Sequence, residues 1–398
     1  MMAHNHKLHH GLERELGWVD EAWSRAEAKI GRNARTIGAA FPNGTKEGRY
    51  FRAPVHDWIA GFWPGLLWLA YRENGEEELR RVAEACERQL AETLQTYDLL
   101  HHDVGFMFSL SSVAQHLLAE ASGRGGDADA KRHALIAANL LAGRYNPQGE
   151  FIRAWPNWDE EDHTGWAIID CMMNLPLLYW AGREIKDPRY KHIAIRHADS
   201  VLRDFLRPDG SVCHIVSYDP ETGERIESLA GQGYAADSAW ARGASWALYG
   251  FALSYRYTGE ARYREAALKV ARFFVSRLPE DAVPYWDYFL PEDGREAMPR
   301  DSSAAAIAAS GLLELAELFT ADGEAGVEDA AWCRSSAERI VRSLSDRYAD
   351  WGDEHEGILL HGTGYHSRGV YVDESLIYGD YFYVEALAKL RGRKELFW

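Results

Sequence analysis

Apolar residues recur at three- and four-residue spacing along most of the chain, the period of helices that bury one stripe. Residues 13–37 place Leu16, Val19, Trp23, Ala26 and Ile30 on that spacing, which predicts an amphipathic helix. A polar loop with Pro42, Asn43 and Gly48 follows. Residues 58–69 are apolar nearly all round. After Asn74-Gly75, Leu79, Val82, Cys86 and Leu90 mark an amphipathic partner. The couplet then repeats: 106–121 with 130–145, 168–182 with 190–205, 240–257 with 263–278, and 302–319 with 330–348. Residues 378–390 remain as an unpaired last helix.

One helix, five pairs and one more helix make about twelve, with few strand-like runs, so the chain is all-α. Repeated helix pairs stack as an open solenoid or close into a ring. An open solenoid leaves one face of each inner helix wet, which the all-apolar helices resist. The pattern therefore predicts an (α/α)6 barrel, closed by packing the last helix on the first. Residues 13–398 form one such domain behind a mobile tail, 1–12. The loops entering the inner helices, 43–58, 95–104, 146–168, 207–240, 279–301 and 349–378, gather at one end. Loops carried by a rigid scaffold are where sites sit.

Composition narrows the class. The 398 residues are 46% apolar, enough for a large core. With 44 basic and 61 acidic side chains the net charge is −17. That disfavours nucleic acid and anionic membrane as partners, since both need a basic face. The four cysteines, Cys86, Cys171, Cys213 and Cys333, show no CxxC spacing, so neither disulfides nor a cysteine zinc site is expected, and a reducing cytoplasm fits. The start is polar and His-rich (His4, His6, His9, His10) rather than an apolar signal region. No apolar run is expected to reach the roughly 20 residues of a membrane span. Fifteen Trp and 20 Tyr are an excess that suits stacking on sugar faces as well as core packing.

The odd chemistry lies in the loops. In Leu100-His101-His102-Asp103-Val104-Gly105-Phe106, two histidines and a carboxylate open into an apolar helix. Asp103 stands where an N-cap belongs, but a cap needs one polar residue, not three. Asp170, in Ile168-Ile169-Asp170-Cys171-Met172-Met173-Asn174-Leu175-Pro176, is a carboxyl among apolar neighbours. It reads as an N-cap or as an acid/base, burial and a second carboxylate favouring its protonated form. Asp301, before Ser302-Ser303, reads as a plain N-cap, and Asp237-Ser238 is similar. Arg242 and Trp246 lie one turn apart, and Arg242 suits a substrate carboxylate or an ordinary ion pair. His214 reads as a core or pocket histidine, and Gln232 is presented between Gly231 and Gly233. No metal or cofactor is expected. There is no HExxH, phosphate loop or GxSxG elbow, and adjacent His101 and His102 should point apart.

These stretches resemble the unsaturated glucuronyl hydrolases, glycoside hydrolases with an (α/α)6 barrel. The resemblance rests on residues 61–69, on His101-His102-Asp103-Val104-Gly105-Phe106, on Ile168 to Leu178, on Trp240-Ala241-Arg242-Gly243-Ala244-Ser245-Trp246-Ala247, on Arg300-Asp301-Ser302-Ser303-Ala304 and on residues 378–387. It implies that Asp170 is the acid/base and Asp103 its essential partner. Trp58, His102, Trp155, His214, Gln232, Arg242, Trp246 and Tyr365 would line the substrate pocket. Two departures fall on the far side of that pocket: Ile59 and Ala60 replace polar residues, and Gly231 stands where a histidine is expected.

The implied substrate is the 4,5-unsaturated uronic acid that polysaccharide lyases leave at a non-reducing end. Its C4=C5 bond is a vinyl ether, so the implied reaction is hydration rather than direct glycosidic hydrolysis. Protonation at C4 and addition of water at C5 would release the rest of the sugar. Three alternatives stand beside this: an unsaturated rhamnogalacturonyl hydrolase, a sugar 2-epimerase on the same scaffold, and a non-catalytic carbohydrate-binding protein. Ser367 and Arg368, in the loop 362–369, are candidates for contacting a sulfate.

Overall fold

The computed structural model describes residues 17–96, 98–123, 125–157, 161–394 and 397–398. The predicted tail, with its four histidines, and the first residues of the first predicted helix lie outside them. The described residues hold twelve helices. The outer ones are α1 (Gly17–Ile37), α3 (Glu77–Thr93), α5 (Ala128–Gly143), α7 (Pro188–Asp204), α9 (Ala261–Ser276) and α11 (Val327–Ser343). The inner ones are α2 (Phe62–Asn74), α4, α6 (Leu175–Glu184), α8 (Ala241–Thr258), α10 (Ser302–Ala321) and α12 (Ile377–Leu390). Helix α4 runs through Val104–Phe108, a π-helical stretch Ser109–Val113, and Ala114–Ala121.

Burial follows the predicted division. Every residue of α12 is buried, and so is almost all of α10, whereas α3 buries a stripe at Leu79, Val82, Ala83, Cys86 and Leu90. Helix α12 packs on α10 at one side and on α1 and α2 at the other, which closes the ring. The fold is an (α/α)6 barrel. Local signals set the helix ends. Gly75, at φ 69°, ends α2 in the left-handed conformation, and the Asp187 carboxylate caps α7 ahead of Pro188.

Two expectations need correction. Helix α10 is long and apolar enough to cross a membrane; it is instead an alanine-rich inner wall, mostly buried within the barrel. The entry loops also contain small sheets. Strands β1 (Phe41–Lys46) and β2 (Arg49–Ala53) form a hairpin, as do β3 (Tyr145–Asn146) with β4 (Phe151–Ile152). Strand β5 (Trp166–Ile168) pairs antiparallel with β6 (Ile215–Tyr218), which pairs with β7 (Arg225–Leu229). Strands β8 (Gly362–Tyr365) and β9 (Val370–Glu374) make a further hairpin.

Candidate active site

The three-stranded sheet brings the central residues together. Ile168 pairs with Ile215, and the Ile169 N–H donates to the His214 carbonyl at 3.0 Å. Asp170 follows β5 in the short turn Ile169–Met173, and His214 precedes β6, so this register sets them side by side. Their nearest side-chain atoms, Asp170 Oδ2 and His214 Nε2, are 3.5 Å apart. The chain leaving β7 then passes through Gly231 to Gln232, whose N–H donates to His214 Nδ1 at 2.8 Å. A nitrogen that accepts this bond cannot carry the proton of a neutral ring, so the proton sits on Nε2, facing Asp170. Asp170 Oδ2 is buried and has no hydrogen-bond partner. It is not an N-cap.

Gly231 is required where it stands. Its φ is 55°, and a Cβ there would sit 2.0 Å from His214 Nδ1. A histidine at this position is therefore excluded by the geometry that holds His214. Ile59 and Ala60 have no exposed surface, so that departure lies in the core and not on the pocket.

Asp103 precedes α4 but makes no side-chain cap. Its carboxylate instead meets His102 Nε2 at 3.1 Å, His101 Nδ1 at 3.5 Å and the Asn174 amide at 2.9 Å. Burial pushes the carboxyl up, but these three partners together outweigh it and hold Asp103 below the usual carboxylate range. His102 Nδ1 lies 2.8 Å from the Ala154 carbonyl, so each of its nitrogens faces an acceptor. Burial drives the His101 imidazole down to about 3 against the pull of Asp103, which keeps it neutral. The two rings do not diverge: their centroids are 5.2 Å apart. Ligating atoms of His101, His102 and Asp103 lie within 4.8 Å of one another, so the prediction that adjacent histidines point apart is corrected. Asp103 Oδ1 is held by the Asn174 amide and lies against His102 Nε2.

Half-buried aromatics flank these segments. Trp58 packs on Phe62, Phe106 and Tyr378, and Trp155 stands edge-on to His102, His163 and Trp166. The Tyr365 hydroxyl donates to the Gly231 carbonyl at 3.1 Å. Beside it, Arg368 lies over the Tyr365 ring with its guanidinium carbon 5.0 Å from the centroid, and Ser367 is exposed.

Two predicted pocket residues take other places. Arg242 is buried, and its Nη atoms donate to Asp301 Oδ2, the Thr363 and Gly364 carbonyls and Gln232 Oε1, at 2.6 to 2.8 Å. Its guanidinium also lies over Trp240. Those four bonds leave no Nη hydrogen for a substrate carboxylate, so Arg242 ties β8, α10 and Gln232 together instead. Asp301 is both the α10 cap, accepting from the Ser303 and Ala304 amides, and the partner of that arginine. Trp246 has no exposed surface and packs in the core against Phe106 and Phe382. Asp237 is exposed and away from these contacts.

The residue motifs missed Asn174 and Asp57. Asn174, four residues after Asp170, lies one helical turn on, a spacing that places side chains on one face. Asp57 caps the turn Trp58–Gly61 through the Ile59 amide. Burial pushes its carboxyl up, and nearby Asp103 adds to that.

The chain is 39% identical to an unsaturated glucuronyl hydrolase of Bacillus sp. (strain GL1) over 371 residues, covering 92% of this chain and 95% of that one. It is 35% identical to an unsaturated chondroitin disaccharide hydrolase of Streptococcus pyogenes serotype M1, covering 96% and 93%. The solved structure of the Bacillus sp. GL1 unsaturated glucuronyl hydrolase, described as responsible for glycosaminoglycan degradation, superposes with a TM-score of 0.89. That match has 37% identity and covers 96% of this chain and 99% of the other. The model of Glycosyl Hydrolase Family 88 matches residues 33–330, and the chain belongs to that family.

Proposed function

We propose that this glycoside hydrolase removes the non-reducing-end 4,5-unsaturated glucuronic acid from glycosaminoglycan- or gellan-type oligosaccharides. The observation that carries the reading is the Asp170 carboxyl. One of its oxygens is buried without a hydrogen-bond partner and faces the N–H of His214, on a turn that Asn174 ties to the Asp103 carboxylate.

In this reading Asp170 donates its proton to C4 of the vinyl ether. Positive charge develops at C5 and the ring oxygen, and water adds at C5 while returning a proton to Asp170. The C5 hemiketal opens to a ketone, which leaves a hemiacetal at C1, and that carbon expels the remaining sugar. Water supplies a hydrogen to C4 and an oxygen to C5, and no anomeric nucleophile takes part. The link between carboxylate separation and retention or inversion therefore does not apply. His214 orients Asp170, and Trp58, Trp155 and Tyr365 face the sugar rings. Gln232 is held by Arg242 through its carbonyl, which leaves its amide for the substrate.

The net charge of −17 supports a saccharide partner over nucleic acid or a membrane surface. The four cysteines are buried free thiols, which supports a cytoplasmic location. The deciding assay offers unsaturated disaccharides from chondroitin, hyaluronan, heparin, gellan and rhamnogalacturonan. Loss of the far-ultraviolet absorbance of the glucuronyl substrates is expected. Turnover of the rhamnogalacturonan product alone would move the assignment to the rhamnogalacturonyl alternative, and binding of all without turnover would indicate a carbohydrate-binding protein.

A further inference from the structure

Asn174 is wholly buried between the two aspartates and uses both ends of its amide. Its carbonyl accepts the Phe106 N–H at 2.8 Å. Its nitrogen donates to Asp103 Oδ1 at 2.9 Å and to the Asp170 carbonyl at 3.2 Å. The orientation is not arbitrary, because a flipped amide would set one oxygen against the Asp103 carboxylate and point N–H groups at the Phe106 N–H. The first turn of α4 is thereby hooked to the turn that carries Asp170. Gly105 makes the approach possible: a Cβ there would lie 2.4 Å from the Asn174 Cα and 2.5 Å from its Oδ1.

We infer that Asn174 is a positioning residue for the reaction, the clamp that ties the Asp103 carboxylate to the turn carrying Asp170. The inference rests on the assignment of Asp170 and Asp103 above. Asn174 touches no reacting atom in that scheme and acts through Asp103. Replacing it with alanine frees the Asp103 carboxylate on one side, and replacing it with aspartate sets a second carboxylate against it. The titratable groups that interact with Asp103 are His101 and His102 on its own segment, Asp57 before α2, Arg144 after α5, and Cys171 on the turn after β5. None of these is altered in the aspartate variant, whose one difference from wild type is the introduced carboxyl. A carboxyl that is protonated can still donate to Asp103, as the amide does, while an ionised one cannot.

The test compares initial rates on an unsaturated disaccharide for wild type, Asn174→Asp, Asn174→Ala and Asp170→Asn, from about pH 5 to about pH 8. At neutral pH both Asn174 variants should lose about 10²-fold in kcat with KM within about threefold. For Asn174→Asp, the ratio of variant to wild-type kcat should rise at least about tenfold toward the acid end, whereas for Asn174→Ala it should stay flat. A structural role alone would not produce that acid rescue. A flat ratio for a folded Asn174→Asp, or a kcat within about threefold of wild type for either variant, would overturn the inference. If Asn174→Asp does not fold, the kcat of Asn174→Ala decides. Asp170→Asn separates the two levels: an active Asp170→Asn removes the assignment itself, whereas an inactive one with a flat Asn174→Asp ratio removes only the clamp.

Discussion

Asp170 and Arg242 are both buried ionisable groups, and they differ in what satisfies them. Arg242 has four protein acceptors on its Nη atoms, while one Asp170 oxygen has none. A buried polar atom left open in a pocket wall is a candidate for meeting substrate, whereas a saturated one is a tie. Asp170→Asn keeps the shape and removes the transferable proton. Its kcat should fall by about 10³-fold or more while disaccharide binding, measured by calorimetry, stays within about threefold. Arg242→Met should act differently. It strands the fully buried Asp301 carboxylate, so unfolding in urea should show a loss of about 3–5 kcal/mol. Activity should fall with it, because Gln232 and β8 lose their anchor. A variant as stable as wild type would show that the Arg242–Asp301 pair is not what joins these segments.

At the scale of elements, the inner helices depend on close contact at their entry ends. A Cβ on Gly61 would meet the Phe106 carbonyl at 2.2 Å and the Met107 Cα at 2.8 Å, so Gly61→Ala must push α2 away from α4. The expected cost is about 1–3 kcal/mol, with reduced kcat because the Asp103 turn moves. Gly75→Ala, in open space at φ 69°, should cost about 1 kcal/mol and leave kcat unchanged. Equal kcat losses in the two variants would contradict this account of the helix contact. The helices themselves were legible from the sequence, since each spans several periods of the apolar pattern. The strands were not. Strand β5 has three residues and β6 has four, all but one of those seven buried, so no alternation could appear. Those short strands nonetheless set the Asp170–His214 register. The two aspartates were legible as polar residues in apolar surroundings. The saturation of Arg242 was not, because Thr363, Gly364 and Asp301 reach it from more than fifty residues away.

The whole molecule carries a pH signature. Burial drives His101 and His197 each down to about 3, so both are neutral in the folded protein and titrate near 6.5 when unfolded. The folded state then binds fewer protons than the unfolded one between those values, and stability is lost as pH falls through that window. Urea melts at about pH 4.5 and about pH 6.5 should show wild type markedly weaker at the lower pH. His197→Gln, which can still accept the Ile152 N–H that His197 Nδ1 accepts at 3.0 Å, should narrow that gap. An unchanged gap would mean that His197 does not contribute. At the same scale, the barrel holds a substrate whose double bond must be consumed when the sugar is released. The most direct measurement follows both events at once in D2O: absorbance of the C4=C5 bond, and release of the reducing-end sugar. The account predicts one double bond lost for every sugar released, with deuterium appearing at C4 of the product at early times. Release of an intact unsaturated uronic acid, its absorbance retained and its C4 unlabelled, would contradict protonation by Asp170 and the hydration chemistry with it.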